Sequence, residues 1–316
     1  MMDALVIDST LRLMHMESPI PAPDQVLIKI RTAGICNTDL ELIGGYMSFS
    51  GVLGHEFVGE VVAGDAAMIG WRVVGEINVA DGTCDLCQQG IPSQCRHRVT
   101  VGIDRHDGAF AEYLALAARN VYAVPDNVSD EQAVFVEPLA AAFQILEAVH
   151  ISPRDRVIVI GAGKLGLLCA QVLRLTGAHV SVVVRREKPR QLLQRWGLQA
   201  HTNDELPRKG ADIVVDCTGS AEGFSSALEL VKPRGTIVLK STYRGLPGID
   251  MTRVAIDEIR VVGSRCGSFE AALRALSANL IDTKSLIEAR YPLKDGLQAM
   301  QHAAQPGALK VLLEVR

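Results

Sequence analysis

Cys84, Cys87 and Cys95 crowd into twelve residues of the segment DGTCDLCQQGIPSQC, with Asp81 three positions ahead of the first of them. Three thiolates and one carboxylate at spacings x2, x2 and x7 can close a tetrahedral shell around zinc. Such a shell leaves no position for a substrate, which is the arrangement of a structural site. The plainer alternative is a loop of unligated thiols. Carboxylate is a harder partner for zinc than thiolate, so incomplete occupancy is the realistic form of that alternative. Upstream, GICNTDLELIGGYMSFSGVLGHEFVGE gathers Cys36, Thr38, Asp39, His55 and Glu56. Thiolate, imidazole and carboxylate together could hold a zinc ion that keeps an open coordination position and acts as a Lewis acid. Taken singly, His55 reads as a core histidine and Cys36 as a small buried hydrophobe. The set, and not any one member, points to a metal.

A second chemistry is written in RVIVIGAGKLGLLCAQVLRLTGA. Gly161, Gly163 and Gly166 form G-x-G-x-x-G between an apolar strand and a helix, with Lys164 and Leu165 at the helix start. Gly161 permits the tight turn, Gly163 the approach of backbone to a pyrophosphate, and Gly166 the packing of helix on strand. The helix amino terminus then faces the anion. A glycine-rich turn without ligand is the bland reading, and the flanking strand and helix argue against it. About 20 residues on, where an NAD site places an acid, the chain reads VVVRREK. Arg185 and Arg186 there predict NADP over NAD, because guanidinium groups suit a 2′-phosphate; two solvated surface charges are the alternative.

These side chains need a scaffold, and the chain pattern supplies one. Residues 26–31, 57–62 and 71–74 carry short alternating or β-branched runs between glycine-rich turns, the pieces of a folded β domain. From about residue 151 the order becomes strand, turn, helix. Strands are expected at 156–160, 180–184, 212–216, 235–240 and 259–263, and that alternation predicts a parallel sheet. LKVLLEV, near the carboxyl end, reads as a closing strand. The 316 residues are 48% hydrophobic and 22% charged, an ordinary globular balance with room for two cores. A formal net charge of −4 leaves no electrostatic footprint for nucleic acid or an anionic membrane. The amino-terminal MMDALVIDSTLRL lacks a basic region followed by an apolar core, and apolar runs stop well short of a bilayer span, so a cytoplasmic protein is expected. Seven cysteines are too few for a disulfide scaffold.

GICNTDL, GHEFVGEVV, the cysteine lobe, DGAFAEYL, VEPLAAA and VIVIGAGKLGLL resemble, in order across nearly the whole chain, the signatures of the medium-chain dehydrogenase/reductase superfamily in its zinc-dependent alcohol dehydrogenase branch. The chain is similar in particular to the sorbitol, glucose and threonine dehydrogenase groups, where the residue pair is His-Glu and an acid precedes Pro-Leu. The resemblance implies an α/β chain: a GroES-like β domain made from residues 1–135 and 266–316, and a Rossmann doubly wound parallel sheet domain from 136–265. It implies Cys36 and His55 as catalytic zinc ligands, with Glu56 binding directly or through water and Glu137 in the remaining ligand position. Thr38 matches the hydroxyl residue that bonds to the substrate oxygen and starts a proton relay. The nicotinamide lining is expected to include Cys217, Thr218 and Gly219 of DCTG, and Ser264 and Arg265 of GSR, although packing explains these nearly as well.

Three departures stand beside the matches. Asp81 replaces the usual first cysteine of the lobe, Glu41 replaces the histidine that ends the relay in many relatives, and Gly70-Trp71-Arg72-Val73 replaces Gly-Asp-Arg-Val. The expected activity is hydride transfer between a small alcohol, polyol or sugar and NADP, by a homodimer or homotetramer. A zinc-free reductase of activated double bonds is one rival reading, disfavoured because the metal-type residues would then have no joint purpose. A catalytically silent dinucleotide-binding or redox-sensing protein is the other.

Overall fold

The computed structural model describes residues 1–243 and 248–315. The chain forms two compact units, Met1–Glu137 with Phe269–Arg316, and Pro138–Ser268. The division therefore falls after Glu137 and after Ser268, slightly beyond residues 135 and 265, and Glu137 belongs to the same unit as Cys36 and His55.

The first unit is built on a seven-stranded sheet in which Gln25–Gly34 is central. Val26, Ile28 and Ile30 are fully buried while the residues between them reach towards solvent, which is the period-2 pattern of a strand with one face on a core. Its last residues, from Thr32 to Gly34, are all buried, and two strands flank them in the sheet. One is Glu56–Ala63, whose Glu56 stands opposite Gly34. The other is the carboxyl-terminal strand Lys310–Glu314, antiparallel, with Leu312 opposite Gly34 and Glu314 opposite Thr32. The two sequence segments of this unit thus share one sheet. Residues Arg72–Gly75 form the strand expected at 71–74, and Trp71 lies outside it, 44% exposed. A small sheet of Asn78–Val79, Val99–Val101 and Arg105–His106 carries the cysteine segment as the loop between its first two strands.

The second unit is a six-stranded parallel sheet. In spatial order its strands are Gln199–His201, His179–Val183, Arg156–Ile160, Ala211–Asp216, Val231–Leu239 and Arg260–Gly263. That is the 3-2-1-4-5-6 order of a dinucleotide fold, and it reverses direction beside Arg156–Ile160. Val157 and Val159 are fully buried there, as expected of a parallel strand with both faces covered. Ile158, Ile160, Val214, Phe224, Leu228 and Ile237 pack into one of the cores of the unit. The edge strand Gln199–His201 is too polar and too short to show as a strand in sequence. Among the described residues, no helix is long and apolar enough to cross a membrane.

Candidate active site and metal centres

Cys36 leaves the central strand and becomes the N-cap of the short helix Asn37–Ile43. Asp39, three residues on, accepts a hydrogen bond from the Cys36 backbone N–H at 2.8 Å and is itself fully buried. The same carboxylate turns its other oxygen towards His55, with Oδ1 3.3 Å from Nδ1. One short polar side chain therefore holds the thiol-bearing turn and sets a carboxylate beside the imidazole, without the alignment of a hydrogen bond. Burial opposes charge on His55, yet Asp39 and Cys36 together raise its pKa well above the ordinary value. Thr38 Oγ1 lies 3.8 Å from Cys36 Sγ on the same turn. Glu41 follows one turn later, half-buried.

Glu56 begins the strand beside Cys36, and ligand atoms of Cys36, His55 and Glu56 all lie within 4.8 Å of one another. Its Oε2 pairs with the Lys310 ammonium, which reaches over from the carboxyl-terminal strand. Its Oε1 is buried and has no hydrogen-bond partner. A buried carboxylate oxygen left without a partner costs about 1–3 kcal/mol unless a donor or a cation takes it up. A thiolate, an imidazole and an unsatisfied carboxylate are a donor set that suits zinc. Gly34 makes the arrangement possible: a Cβ there would lie 2.6 Å from Val134 and 2.7 Å from Glu56 Oε2.

Glu137 opens the helix Val136–Ala148 and is not among the three residues whose ligand atoms cluster within 4.8 Å. It nevertheless senses them. Burial raises its carboxyl pKa to about 7, with the neighbouring Glu56 charge adding to the shift and His55 and Lys310 opposing it.

In the lobe, Asp81, Cys84, Cys87 and Cys95 also bring ligand atoms within 4.8 Å of one another. Cys84 Sγ is 3.5 Å from Cys87 Sγ and 3.8 Å from Cys95 Sγ, and Asp81 Oδ1 is 3.4 Å from Cys87 Sγ. Backbone N–H groups of Asp81 and His97 each point at Cys95 Sγ from 3.4 Å. The Arg96 and Cys87 backbones favour the Cys84 thiolate and draw its pKa down to about 7. Burial and the neighbouring thiols push Cys87 up to about 12. Several thiols that cannot all ionise together without a cation are what a zinc site looks like before metal enters. His97 Nδ1 contacts Asp81 Oδ2 at 2.5 Å and is the largest cause of the depressed Asp81 pKa.

The residues expected to hold the dinucleotide gather at one edge of the parallel sheet. Gly161 follows the strand Arg156–Ile160, Arg185 and Arg186 follow His179–Val183, Cys217 to Gly219 follow Ala211–Asp216, and Ser264 and Arg265 follow Arg260–Gly263. Ligands of open α/β sheets bind at this carboxyl edge, where the strand order reverses. Gly161 has φ +99°, and a Cβ on Gly166 would lie 1.8 Å from the Gly161 carbonyl oxygen. Gly163 is the N-cap of the helix Lys164–Arg174 and has no side chain to bond its first turn, and beyond the adjoining chain nothing lies within 4 Å of where its Cβ would be. A helix amino terminus with open space at its glycine cap suits a pyrophosphate. Arg185 and Arg186 are both exposed. Thr218 donates its hydroxyl to Asp216 at 2.7 Å, and Lys240 donates to the Ser264 and Arg265 carbonyls at 2.9 and 2.7 Å, so both loops are tied down.

Two functional positions escaped the sequence reading. Asp39 carried no assigned role, although an acid three residues after an N-cap is a recognisable capping signal. Lys310 was one residue of a closing strand; the only hint was a lone cation in an apolar run.

A GroES-like β unit with a largely buried thiol–imidazole–carboxylate cluster, and a Rossmann unit with a glycine-rich turn, define a zinc-type dehydrogenase. The comparisons agree. Residues 22–126 match the alcohol dehydrogenase GroES-like domain and residues 165–281 the zinc-binding dehydrogenase domain. The chain is 30% identical to the sorbitol dehydrogenase of Halalkalibacterium halodurans, with 93% of each chain covered. It is 32% identical to the L-threonine 3-dehydrogenase of Coxiella burnetii, over 94% of this chain and 93% of the relative. Among solved structures, a zinc-binding dehydrogenase from Sinorhizobium meliloti bound to NADP superposes with TM-score 0.91 at 28% identity, covering 99% of both chains. An alcohol dehydrogenase from Escherichia coli complexed with NADH gives TM-score 0.90 at 27% identity, again over 99% of both. The chain belongs to the zinc-dependent alcohol dehydrogenases of the medium-chain dehydrogenase/reductase superfamily, and is an oxidoreductase acting on alcohols.

Proposed function

We propose that this chain interconverts a small polyol, sugar or related alcohol and its carbonyl counterpart, with NADP as the preferred hydride carrier and zinc at both clusters. The observation that carries the reading is the trio of partly buried Cys36 and buried His55 and Glu56, with Glu56 Oε1 unsatisfied. Cys36 and His55 would hold the catalytic zinc, with Glu56 beside them and Glu137 as a further carboxylate. Asp81, Cys84, Cys87 and Cys95 would hold the structural one. Zinc bound at the first cluster supplies Lewis acidity towards the substrate oxygen.

The chain's own residues do the rest. Asp39 places its carboxylate 3.3 Å from His55 Nδ1, which favours a metal at Nε2. Thr38 accepts a hydrogen bond from the substrate hydroxyl and passes the proton onward, with Glu41 standing where relatives carry a histidine. Gly161, Gly163, Lys164, Leu165 and Gly166 cradle the pyrophosphate, and Cys217, Thr218, Gly219, Ser264 and Arg265 line the nicotinamide end. Arg185 and Arg186 bind the 2′-phosphate, a role supported by two exposed guanidinium groups just after the second strand and by the NADP-bound relative. Relatives named for sorbitol and threonine support a hydroxyl-bearing substrate of similar size. Homodimers or homotetramers are the proposed assembly.

The test follows NADPH and NADH absorbance against polyols, aldoses, threonine and simple alcohols, alongside zinc analysis. A higher kcat/KM with NADP, about one or two zinc per chain, and loss of turnover in Cys36→Ser with dinucleotide binding retained are expected. Full activity in Cys36→Ser refutes the zinc mechanism.

A further inference from the structure

Lys310 is the most deeply buried cation of the described chain, 1% exposed, and sits 254 residues from its partner Glu56. Its ammonium pairs with Glu56 Oε2, lies 3.5 Å from the Ile35 carbonyl oxygen, and stands 5.7 Å above the Phe135 ring. Burial works against its charge, and Glu56, Cys36 and Asp39 more than compensate. A purely structural ion pair in such a place satisfies the remaining carboxylate oxygen as well, since an unpaired lone pair forfeits most of the gain. Here Oε1 has no partner. The glycine at position 34 fits the same design, because a Cβ there would meet Glu56 Oε2 at 2.7 Å and the Lys310 Cδ at 3.3 Å.

We propose that Lys310 is a positioning residue that grips one oxygen of Glu56, so that this carboxylate remains a weak and displaceable partner of the metal held by Cys36 and His55. A catalytic zinc site must keep a position open for substrate. A carboxylate next to Cys36 and His55 with both oxygens unrestrained would fill that position, and sharing its charge with an ammonium weakens it as a ligand. The inference rests on the metal-centre reading given above, and its failure can be told apart from failure of that reading.

The experiment measures zinc release from the zinc-loaded full-length protein to a chromogenic chelator. The phase that disappears in Cys36→Ser reports the catalytic site. In Lys310→Met that phase slows by about tenfold or more, the scale on which outer-shell partners alter metal affinity. In Glu56→Gln it quickens, and Lys310→Met/Glu56→Gln matches Glu56→Gln alone because Lys310 acts only through Glu56. A cobalt-substituted Lys310→Met protein shows an altered visible spectrum. Unchanged or faster release in Lys310→Met overturns the proposal. Should that variant not fold, Glu56→Gln decides, and release at the parental rate overturns it. If no phase depends on Cys36, the metal centre itself is wrong and the inference falls with it.

Discussion

Gly166→Ala tests the dinucleotide turn with a single methyl group. The added Cβ would lie 1.8 Å from the Gly161 carbonyl oxygen, against about 3.4 Å for ordinary contact, so the helix Lys164–Arg174 and the turn must separate by roughly 1.6 Å. The obstacle is backbone, with no side chain that can rotate away. Overpacking of this kind costs about 1–3 kcal/mol. If the turn keeps its shape, the cost appears as lost stability, at about 2–4 °C in Tm per kcal/mol. If the turn relaxes, it must be restored when the pyrophosphate binds, and Kd for NADPH rises by roughly 5- to 150-fold. Titration calorimetry with NADPH and thermal melting of the free protein together capture both routes. Some dinucleotide folds accept Ala at this position, which makes the variant a real risk to the argument. A Tm within about 1 °C and a Kd within about twofold of the parent would show that the close approach does not hold the turn.

Replacing Arg185 and Arg186 together by Ala should raise KM for NADP by about 10- to 100-fold and leave NAD kinetics nearly unchanged, since charge-assisted hydrogen bonds contribute about 1.5–3 kcal/mol; equal effects on both cofactors would show that the pair is only surface charge. Asp81→Cys should slow zinc loss from the lobe in a chelator assay, because thiolate is the softer ligand, and faster loss would mean that the Asp81 contacts to His97 and to the Thr83 and Cys84 N–H groups matter more. For Glu137 the folded pKa of about 7 lies above the ordinary 4.5. The folded metal-free protein therefore keeps a proton that the unfolded chain has lost, and stability falls as pH rises from about 4.5 to 7. Glu137→Gln should remove at most about 3 kcal/mol of that slope, making the variant more stable than the parent at pH 8 and equal to it near pH 4.5; parallel Tm curves would contradict the burial of this carboxyl.

The chemistry of each cluster was legible because its residues are close in sequence. Asp81 to Cys95 and Cys36 to Glu56 each lie within one short segment, so the donor types and spacings could be read without a fold. The glycine turn was legible for the same reason, and all five expected parallel strands announce themselves as apolar, β-branched runs. The polar edge strand Gln199–His201 did not, because its pairing with His179–Val183, and no propensity of its own, makes it a strand. Lys310 was invisible for a deeper reason. Its role depends on the carboxyl-terminal strand entering the sheet beside Gln25–Gly34, opposite the side that Glu56–Ala63 occupies. Nothing local in LKVLLEV states that register, since strand pairing between distant segments is settled by burial of whole faces. Donor types and spacings along the chain name the side chains that could bind metal and dinucleotide. That Glu56 shares its charge with Lys310, while Glu137 stands outside the tight trio, emerges only on folding, because those distances are set by sheet register and packing between distant segments.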